Sequence, residues 1–398
     1  MSAENPKVLV VSPYPLSRGT PDGVKDYIRT LRPAVERKGV EYVLIGPSIK
    51  DKKNNLADHE LGFAVRVGKA AGMKGTSYKG TTTVNFPRAR RIINSEKPDI
   101  IEFHDPFAVP VTLETVSLAV RNIPQIFQHH ALIEELTPKQ RKLATLAHKI
   151  GYIRHVGKRV FEKHAVSPDT KAFWAGLLKE SEDLYEVIPN PIDTELFKYD
   201  REKKELDGGK KIIIFTARHD EHKRADIFIL ALAHLVRNEI RDFEGFLTGE
   251  GDNTPEIKSL VKELGLSEFV KFTGTLPDDE FADLNARAEI LVACSEGGEG
   301  FNRSIGNARA SGALVAATRV PGQTFAYGPE ETFGPMAEPN NPDSLASRIH
   351  DFGWKLSPEE KEKRRELGRR FVEESFSTDV VADKKVAAYE RVIYERAA

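Results

Sequence analysis

The sequence predicts an α/β protein made of two doubly wound, parallel-sheet domains, and three observations carry that expectation. At 398 residues the chain exceeds what a single hydrophobic core usually organises. Short apolar runs alternate with stretches whose apolar residues recur at helical spacing, the pattern of parallel strands covered by helices on both faces. The alternation occurs twice, on either side of a charged, glycine-bearing stretch at 198–211 that reads as a linker. The expected limits are 1–188 and 189–375, with 376–398 a C-terminal helix returning to the first domain.

In chain order, residues 7–12 (KVLVVS) form an apolar run stopped by Pro13 and Pro15, and 24–38 then has helical periodicity. Strands follow at 41–45, 99–104 and 124–129, with helical stretches at 110–121 and 138–164. The second series has strands at 211–216, 243–248, 269–272, 290–294 and 314–317, and helices at 358–374 and 379–397 close the chain. Two such domains facing a central cleft would turn their strand C-terminal ends toward it, where open α/β sheets bind ligands. Function is therefore expected in the loops that follow strands.

Composition removes several classes of function. Hydrophobic residues make up 40% and charged residues 30%, which suits packed cores and not a disordered chain. No apolar run approaches the roughly 18 residues a membrane span needs, and the first residues lack a basic region followed by an apolar stretch, so a cytoplasmic protein is expected. The one cysteine, Cys294, cannot form an internal disulfide or a sulfur-rich zinc site. The net charge of -1 hides an asymmetry: residues 1–188 hold 29 basic against 21 acidic side chains, and the remainder holds 30 against 39. A basic front half suits an anionic ligand or surface. Nucleic acid is not expected, because neither a strongly basic chain nor aromatic stacking motifs occur.

Four loops carry residues with chemical potential. The loop 17–23 ends in Asp22 and Gly23 at a helix start, where free N–H groups and the helix dipole favour an anion. Gly249-Glu250-Gly251 lacks the third glycine of a dinucleotide fingerprint and reads as an ordinary loop. Arg218 and Lys223 flank a strand-to-helix turn, a spacing able to clamp a diphosphate. The stretch 295–312 joins a glycine-rich loop holding Glu299 to a helix rich in small residues, and Asn302 is a favourable N-cap.

Taken together, Gly23, the run 98–104 (PDIIEFH), 165–167 (AVS), 188–193 (IPNPID), Arg218 with Lys223, 272–274 (FTG) and Glu299-Gly300-Phe301 leading to 308–312 (ARASG) resemble the retaining GT-B nucleotide-sugar glycosyltransferases of the family 4 type. The resemblance spans nearly the whole chain, and the Gly-Gly-Glu run with His104-Asp105-Pro106 is nearest in pattern to the phosphatidylinositol mannosyltransferases. It implies Rossmann-like domains and hexosyl transfer to an acceptor hydroxyl from a nucleotide diphosphate sugar, which is a substrate and not a cofactor. No metal is implied. Arg218 and Lys223 would hold the diphosphate, with Arg224 as a substitute for Lys223. Glu299 would bind donor sugar hydroxyls beside Gly300 and Phe301, while N–H groups near Asn302 and Arg303 would face the diphosphate and Gly23 would line its other side. His104 would face the transferred sugar, with Asp22 and His129 on the acceptor side.

Two residues depart from the family pattern. Asn307 stands where the family usually places a ribose-binding glutamate, and Asn302 replaces a usual glycine. A neutral acceptor at Asn307 would weaken that contact by about 1 kcal/mol. A nucleotide-sugar 2-epimerase and a catalytically silent nucleotide-sugar-binding subunit are the alternatives. Between 139 and 163, eight basic residues against the single acid Glu162 alternate with apolar ones, the pattern of a basic amphipathic helix able to rest on anionic lipid or to bind a phosphorylated or lipid-linked acceptor. A solvated face on a core helix explains the same pattern equally well.

Overall fold

A computed structural model of the chain describes residues 5–12, 14, 16, 23–48, 53, 55–67, 78–81, 86–105, 123–130, 160–205 and 209–397. It divides into two compact units: Met1–Pro191 together with Thr378–Ala398, and Ile192–Ser377.

The first unit carries β1 (Lys7–Val11), α1 (Gly23–Arg37), β2 (Glu41–Ser48), β3 (His59–Val67), β4 (Tyr78–Thr81), α2 (Phe86–Glu96), β5 (Ile100–His104), β6 (Gln125–His129), β7 (Val160–Ala165), α3 (Pro168–Leu178) and β8 (Tyr185–Val187). The strand order is β4-β3-β2-β1-β5-β6-β7-β8, parallel except for the antiparallel β3–β4 pair. Order reverses between β1 and β5, the switch point after which Gly23 and His104 follow. Four consecutive residues of β1, Val8 to Val11, are buried, as expected for a strand covered on both faces.

The second unit carries α4 (Arg201–Glu205), β9 (Lys211–Thr216), α5 (Ala225–Arg237), β10 (Phe243–Thr248), α6 (Thr254–Glu263), β11 (Val270–Gly274), α7 (Asp278–Arg287), β12 (Ile290–Ala293), α8 (Arg303–Ala310), β13 (Leu314–Ala317), α9 (Gln323–Tyr327), α10 (Glu330–Phe333), α11 (Pro342–His350) and α12 (Pro358–Ser375). Its sheet is wholly parallel, in the order β11-β10-β9-β12-β13, so the switch point lies between β9 and β12. Ile213, Phe215, Val292 and Ala316 pack with Phe228 and Leu232 of α5 and with Leu345 and Ile349 of α11. A capping box formed by Ser357 and Glu360 starts α12.

The last helix, α13 (Thr378–Ala397), belongs to the first unit: Val381, Ala382, Ala388, Tyr389 and Val392 share a core with Tyr27, Ile28 and Leu31 of α1. No described helix is long and apolar enough to cross a membrane.

Two sequence expectations need correction. The helical stretch anticipated at 138–164 ends in a strand: 160–165 is β7, hydrogen-bonded between β6 and β8, so sheet pairing overrides the amphipathic spacing there. The basic stretch 139–159, like the helix anticipated at 110–121 and Asp22, lies outside the described residues. Residues 198–211 are not a free linker either. Tyr199 donates to Glu362 at 2.7 Å, Lys203 pairs with Asp283 at 2.5 Å, and Lys204 donates to the carbonyl of Ala288 at 2.5 Å, which secures the end of α7. Lys203 and Lys204 thus belong to packing contacts, which composition alone does not distinguish from a solvated linker.

Candidate active site

At the switch point of the second unit, the loops after β9 and β12 bring three of the anticipated residues together. After β9 a 3-10 turn, Glu221–Lys223, leads into Arg224, whose left-handed φ of 54° redirects the chain into α5. The Glu296 N–H donates to the His222 carbonyl at 3.0 Å, joining the two loops. Lys223 Nζ consequently lies 2.5 Å from Glu299 Oε1, and Ser295 Oγ donates to the same oxygen at 2.6 Å. Burial works against charge on Glu299, but the ammonium of Lys223 and the Ser295 hydroxyl outweigh it and hold the carboxyl below its usual range. The carboxylate is an acceptor only, fixed in place by two donors.

Arg218 sits 2.9 Å from Asp220 Oδ2, and burial raises Asp220 while Arg218 and Lys223 oppose that rise. Between these groups, His222 is pushed down to about 4, first by burial and then by the charge of Lys223. It is therefore neutral at pH 7, and the loop keeps its positive charge on Arg218 and Lys223. Arg224 does not substitute for Lys223. Its guanidinium is held by Asp226 at 3.0 and 2.8 Å and by Glu296 at 2.9 Å, engaged in fixing the turn.

The N-terminus of α8 closes the same corner. Asn302 caps it, accepting from Ser304 N at 3.2 Å, and Ser304 Oγ donates to the Thr216 carbonyl at the end of β9 at 2.8 Å. Asn302 and Arg303 thus stand at a helix N-terminus tied to the strand that leads to Arg218. Further along α8, Asn307 is buried with its Oδ1 lacking any hydrogen-bond partner, and Thr216 Oγ1 is in the same condition. Unsatisfied buried acceptors of this kind mark a position where a ligand can supply the missing donor.

Gly249 belongs to this scaffold: at φ +91°, a Cβ there would lie 2.3 Å from the Ala217 carbonyl oxygen. The loop after β10 packs against the base of the Arg218 loop, in keeping with the ordinary-loop reading. Gly322 does the same for Glu299. Its φ is +74°, and a Cβ would fall 1.9 Å from the Glu299 carbonyl oxygen, so only glycine lets the segment after β13 support that loop. Sequence reasoning missed Ser295, His222, Gly322 and Gln323; the Pro321-Gly322 dipeptide after a strand was the one available turn signal.

In the first unit, Gly23 opens α1 with nothing within 4 Å of where a Cβ would stand. His104, fully buried, has Nε2 2.9 Å from Glu102 Oε1 and Nδ1 2.7 Å from His130 Nε2. Burial lowers its pKa, although Glu102 pulls the other way. His129 points into the core, its ring centroid 4.7 Å from that of Trp174 and 5.8 Å from that of Tyr185. Beneath His104, Lys385 and Tyr389 of α13 donate to Glu102 at 2.8 and 2.5 Å, and Lys385 also lies 3.0 Å from His164 Nδ1.

The one His-and-carboxylate group among the described residues with metal-ligand spacing is Glu162, His164 and Glu186. Arg391 pairs with both of its carboxylates, and Lys385 donates to His164 Nδ1, which leaves the proton on the Nε2 that faces Glu162. This group therefore reads as an ion-pair cluster.

Two largely parallel sheets, each with a strand-order reversal, together with the matches that follow, make this a glycosyltransferase of the GT-B fold. The chain belongs to the family 4 type of these enzymes: residues 21–196 match Glycosyltransferase Family 4 and residues 197–370 match Glycosyl transferases group 1. Among its relatives, the MMP alpha-(1->4)-mannosyltransferase of Mycolicibacterium hassiacum is 27% identical over 342 residues, covering 80% of this chain and 79% of that protein. A phosphatidyl-myo-inositol mannosyltransferase of Propionibacterium freudenreichii is 23% identical, covering 79% and 77%. The fold is shared with Anabaena Alr3699/HepE, solved in complex with UDP-glucose, at a TM-score of 0.73 and 16% identity over 97% of this chain and 99% of that one.

Proposed function

We propose that this protein transfers a hexosyl group from a nucleoside diphosphate sugar to an acceptor hydroxyl, with retention at the anomeric carbon and without a metal. The observation that carries the reading is the convergence of Lys223 and Glu299 at 2.5 Å beside the N-terminus of α8, at the switch point where open α/β sheets bind ligands. The relatives named above are mannosyltransferases, and the UDP-glucose complex of a protein with the same fold supports a nucleotide-sugar donor.

In this reading the C1–O bond to the diphosphate lengthens into an oxocarbenium-like state. Charge gathering on the departing diphosphate is met by Arg218, Lys223 and the N–H groups near Asn302 and Arg303, fixed dipoles that need no reorganisation. Glu299 orients the sugar through its hydroxyls, flanked by Gly300 and Phe301, and Asn307 Oδ1 accepts from a ribose hydroxyl. The acceptor oxygen attacks on the face the diphosphate leaves, and its proton passes to a diphosphate oxygen. In the first unit, Gly23 follows β1 and His104 ends β5, the two strands at that unit's order reversal. The basic charge of residues 1–188 favours an acceptor bearing phosphate or an anionic lipid.

A thermal-shift panel of UDP-, GDP- and ADP-linked hexoses tests the donor: a true donor at 100 times its Kd stabilises by about 2.7 kcal/mol. Calorimetry on variants then tests the site. Arg218→Ala and Lys223→Ala are expected to weaken binding of the sugar-free nucleoside diphosphate, whereas Glu299→Ala lowers turnover with that binding nearly intact. Asn307→Glu is expected to tighten nucleotide binding or leave it unchanged. Its abolition in a folded variant would mean that this pocket has been rebuilt for another ligand.

A further inference from the structure

A continuous run of side-chain hydrogen bonds links Glu299 to the N-terminus of α8 through residues that touch neither sugar nor phosphate in the proposed function. Ser295 Oγ donates to Glu299 Oε1 at 2.6 Å, and the Ser295 carbonyl accepts from Thr318 Oγ1 at 2.6 Å. Gln323 Nε2 donates to the Thr318 carbonyl at 2.9 Å and to Thr318 Oγ1 at 3.0 Å. Gln323 Oε1 accepts from Asn302 Nδ2 at 2.8 Å, and Asn302 Oδ1 caps Ser304 N. Thr318 and Gln323 are completely buried.

The donor and acceptor count leaves this run a single orientation. The Asn302 oxygen must face the Ser304 N–H, which turns its NH2 toward Gln323. The Gln323 oxygen must then face Asn302, which turns its own NH2 toward Thr318, and the Thr318 hydroxyl proton goes to Ser295. Flipping Gln323 would set two NH2 groups against each other at 2.8 Å, and flipping Asn302 would set two carbonyl oxygens there and its own NH2 against the Ser304 N–H. A buried polar run contributes little net stability over apolar side chains of the same shape, so stability alone does not account for its presence. It occurs where Asn302 stands in place of the family's usual glycine, which has no side chain to donate.

We propose that Gln323 is a positioning residue: acting through Thr318 and Ser295 on one side and Asn302 on the other, it holds the sugar-orienting carboxylate in fixed register with the phosphate-facing helix end. This rests on the reading of Glu299 and α8 as donor contacts. Gly322 contributes independently, since its backbone meets the Glu299 carbonyl where a Cβ would clash.

Gln323→Met preserves volume and removes both ends of the link, Thr318→Val removes the hydroxyl, and Thr318→Ser restores it. The probes are UDP and GDP in calorimetry and, for turnover, the nucleotide sugar selected by the donor panel. Gln323→Met and Thr318→Val are expected to bind UDP or GDP within about twofold of the parent and to lose about ten- to a hundredfold in kcat with donor KM nearly unchanged, while Thr318→Ser recovers most of the rate. If Gln323→Met does not fold, the two Thr318 variants decide. Turnover of Thr318→Val within twofold of the parent, while Glu299→Gln is impaired, overturns the positioning role alone. Equal losses in Thr318→Val and Thr318→Ser that track a fall in Tm overturn it as well. If Glu299→Gln itself turns over normally, the donor assignment fails first and takes this inference with it.

Discussion

Glu102 and Glu299 are both buried carboxylates, each joined to one lysine, yet their surroundings differ. Glu102 and Lys385 are both 0% exposed, and Tyr389, His104 and His164 complete a closed set of partners. Glu299 keeps 8% exposure and Lys223 20%, with Ser295 as the further donor. The first pair fastens α13 onto the sheet of the first unit. The second remains within reach of an incoming ligand, so its groups can exchange a protein partner for a substrate. A buried Lys–Glu pair is thus not by itself evidence of an active site, and retained access is what separates the pair of the proposed site from the sealed one.

The largest expected effect comes from breaking the sealed pair. Lys385→Met leaves Glu102 charged and uncompensated, and is expected to destabilise by about 3–5 kcal/mol in denaturant titration. Adding Glu102→Gln to that variant should recover part of the loss, because the coupling between the two sites is large. No recovery would show that Lys385 acts chiefly through packing against Tyr27 and Tyr389.

Next in size is Gly322→Ala. The clash with the Glu299 carbonyl and the left-handed φ together are expected to cost about 1–3 kcal/mol of stability. Turnover is expected to fall by about a hundredfold, since the displaced loop carries Glu299, the carboxylate proposed to bind the sugar. A variant that loses stability with normal turnover would separate the turn from the site.

Lys223→Met should cost less than Lys385→Met, about 1–2 kcal/mol, because Lys223 is partly exposed and Glu299 keeps Ser295 as a donor. Its main consequence is expected in nucleoside diphosphate affinity. If its stability loss equalled that of Lys385→Met, the contrast between a sealed and an open pair would be lost.

The last effect concerns pH. His222 has its pKa pushed down to about 4, so the unfolded chain binds this proton first as acid is added. Its contribution to stability is therefore complete above pH 6.5 and is lost as pH falls from 6.5 toward 4, at up to about 1.4 kcal/mol per pH unit for one proton. His222→Gln should flatten the stability profile in that window and leave it unchanged above pH 7. An unaltered acid slope would place the proton uptake on other buried histidines, of which His104, His130, His164 and His219 are also lowered by burial.

Sequence by itself determined the two-sheet architecture and pointed to most of the residues of the proposed donor corner. The runs at 7–12, 211–216 and 290–294 are apolar for four or more residues because strands covered on both faces must be, and that signal is local. Arg218, Lys223 and Glu299 were legible because loops after strands of an open α/β sheet are where ligands bind, and because the motif order is specific. Only the tertiary structure decided which of two adjacent cations, Lys223 or Arg224, meets Glu299, since Asp226, Glu296 and a left-handed backbone divert Arg224. It also decided that His129 packs against Trp174, that 160–165 pairs as a strand, and that Gly322 and Gln323 support a loop some twenty residues earlier in the chain. The physical reason is range: periodicity and turn chemistry act over a few neighbouring residues, whereas an ion pair, a buried amide's orientation and a steric overlap depend on groups that only the folded sheet order brings together.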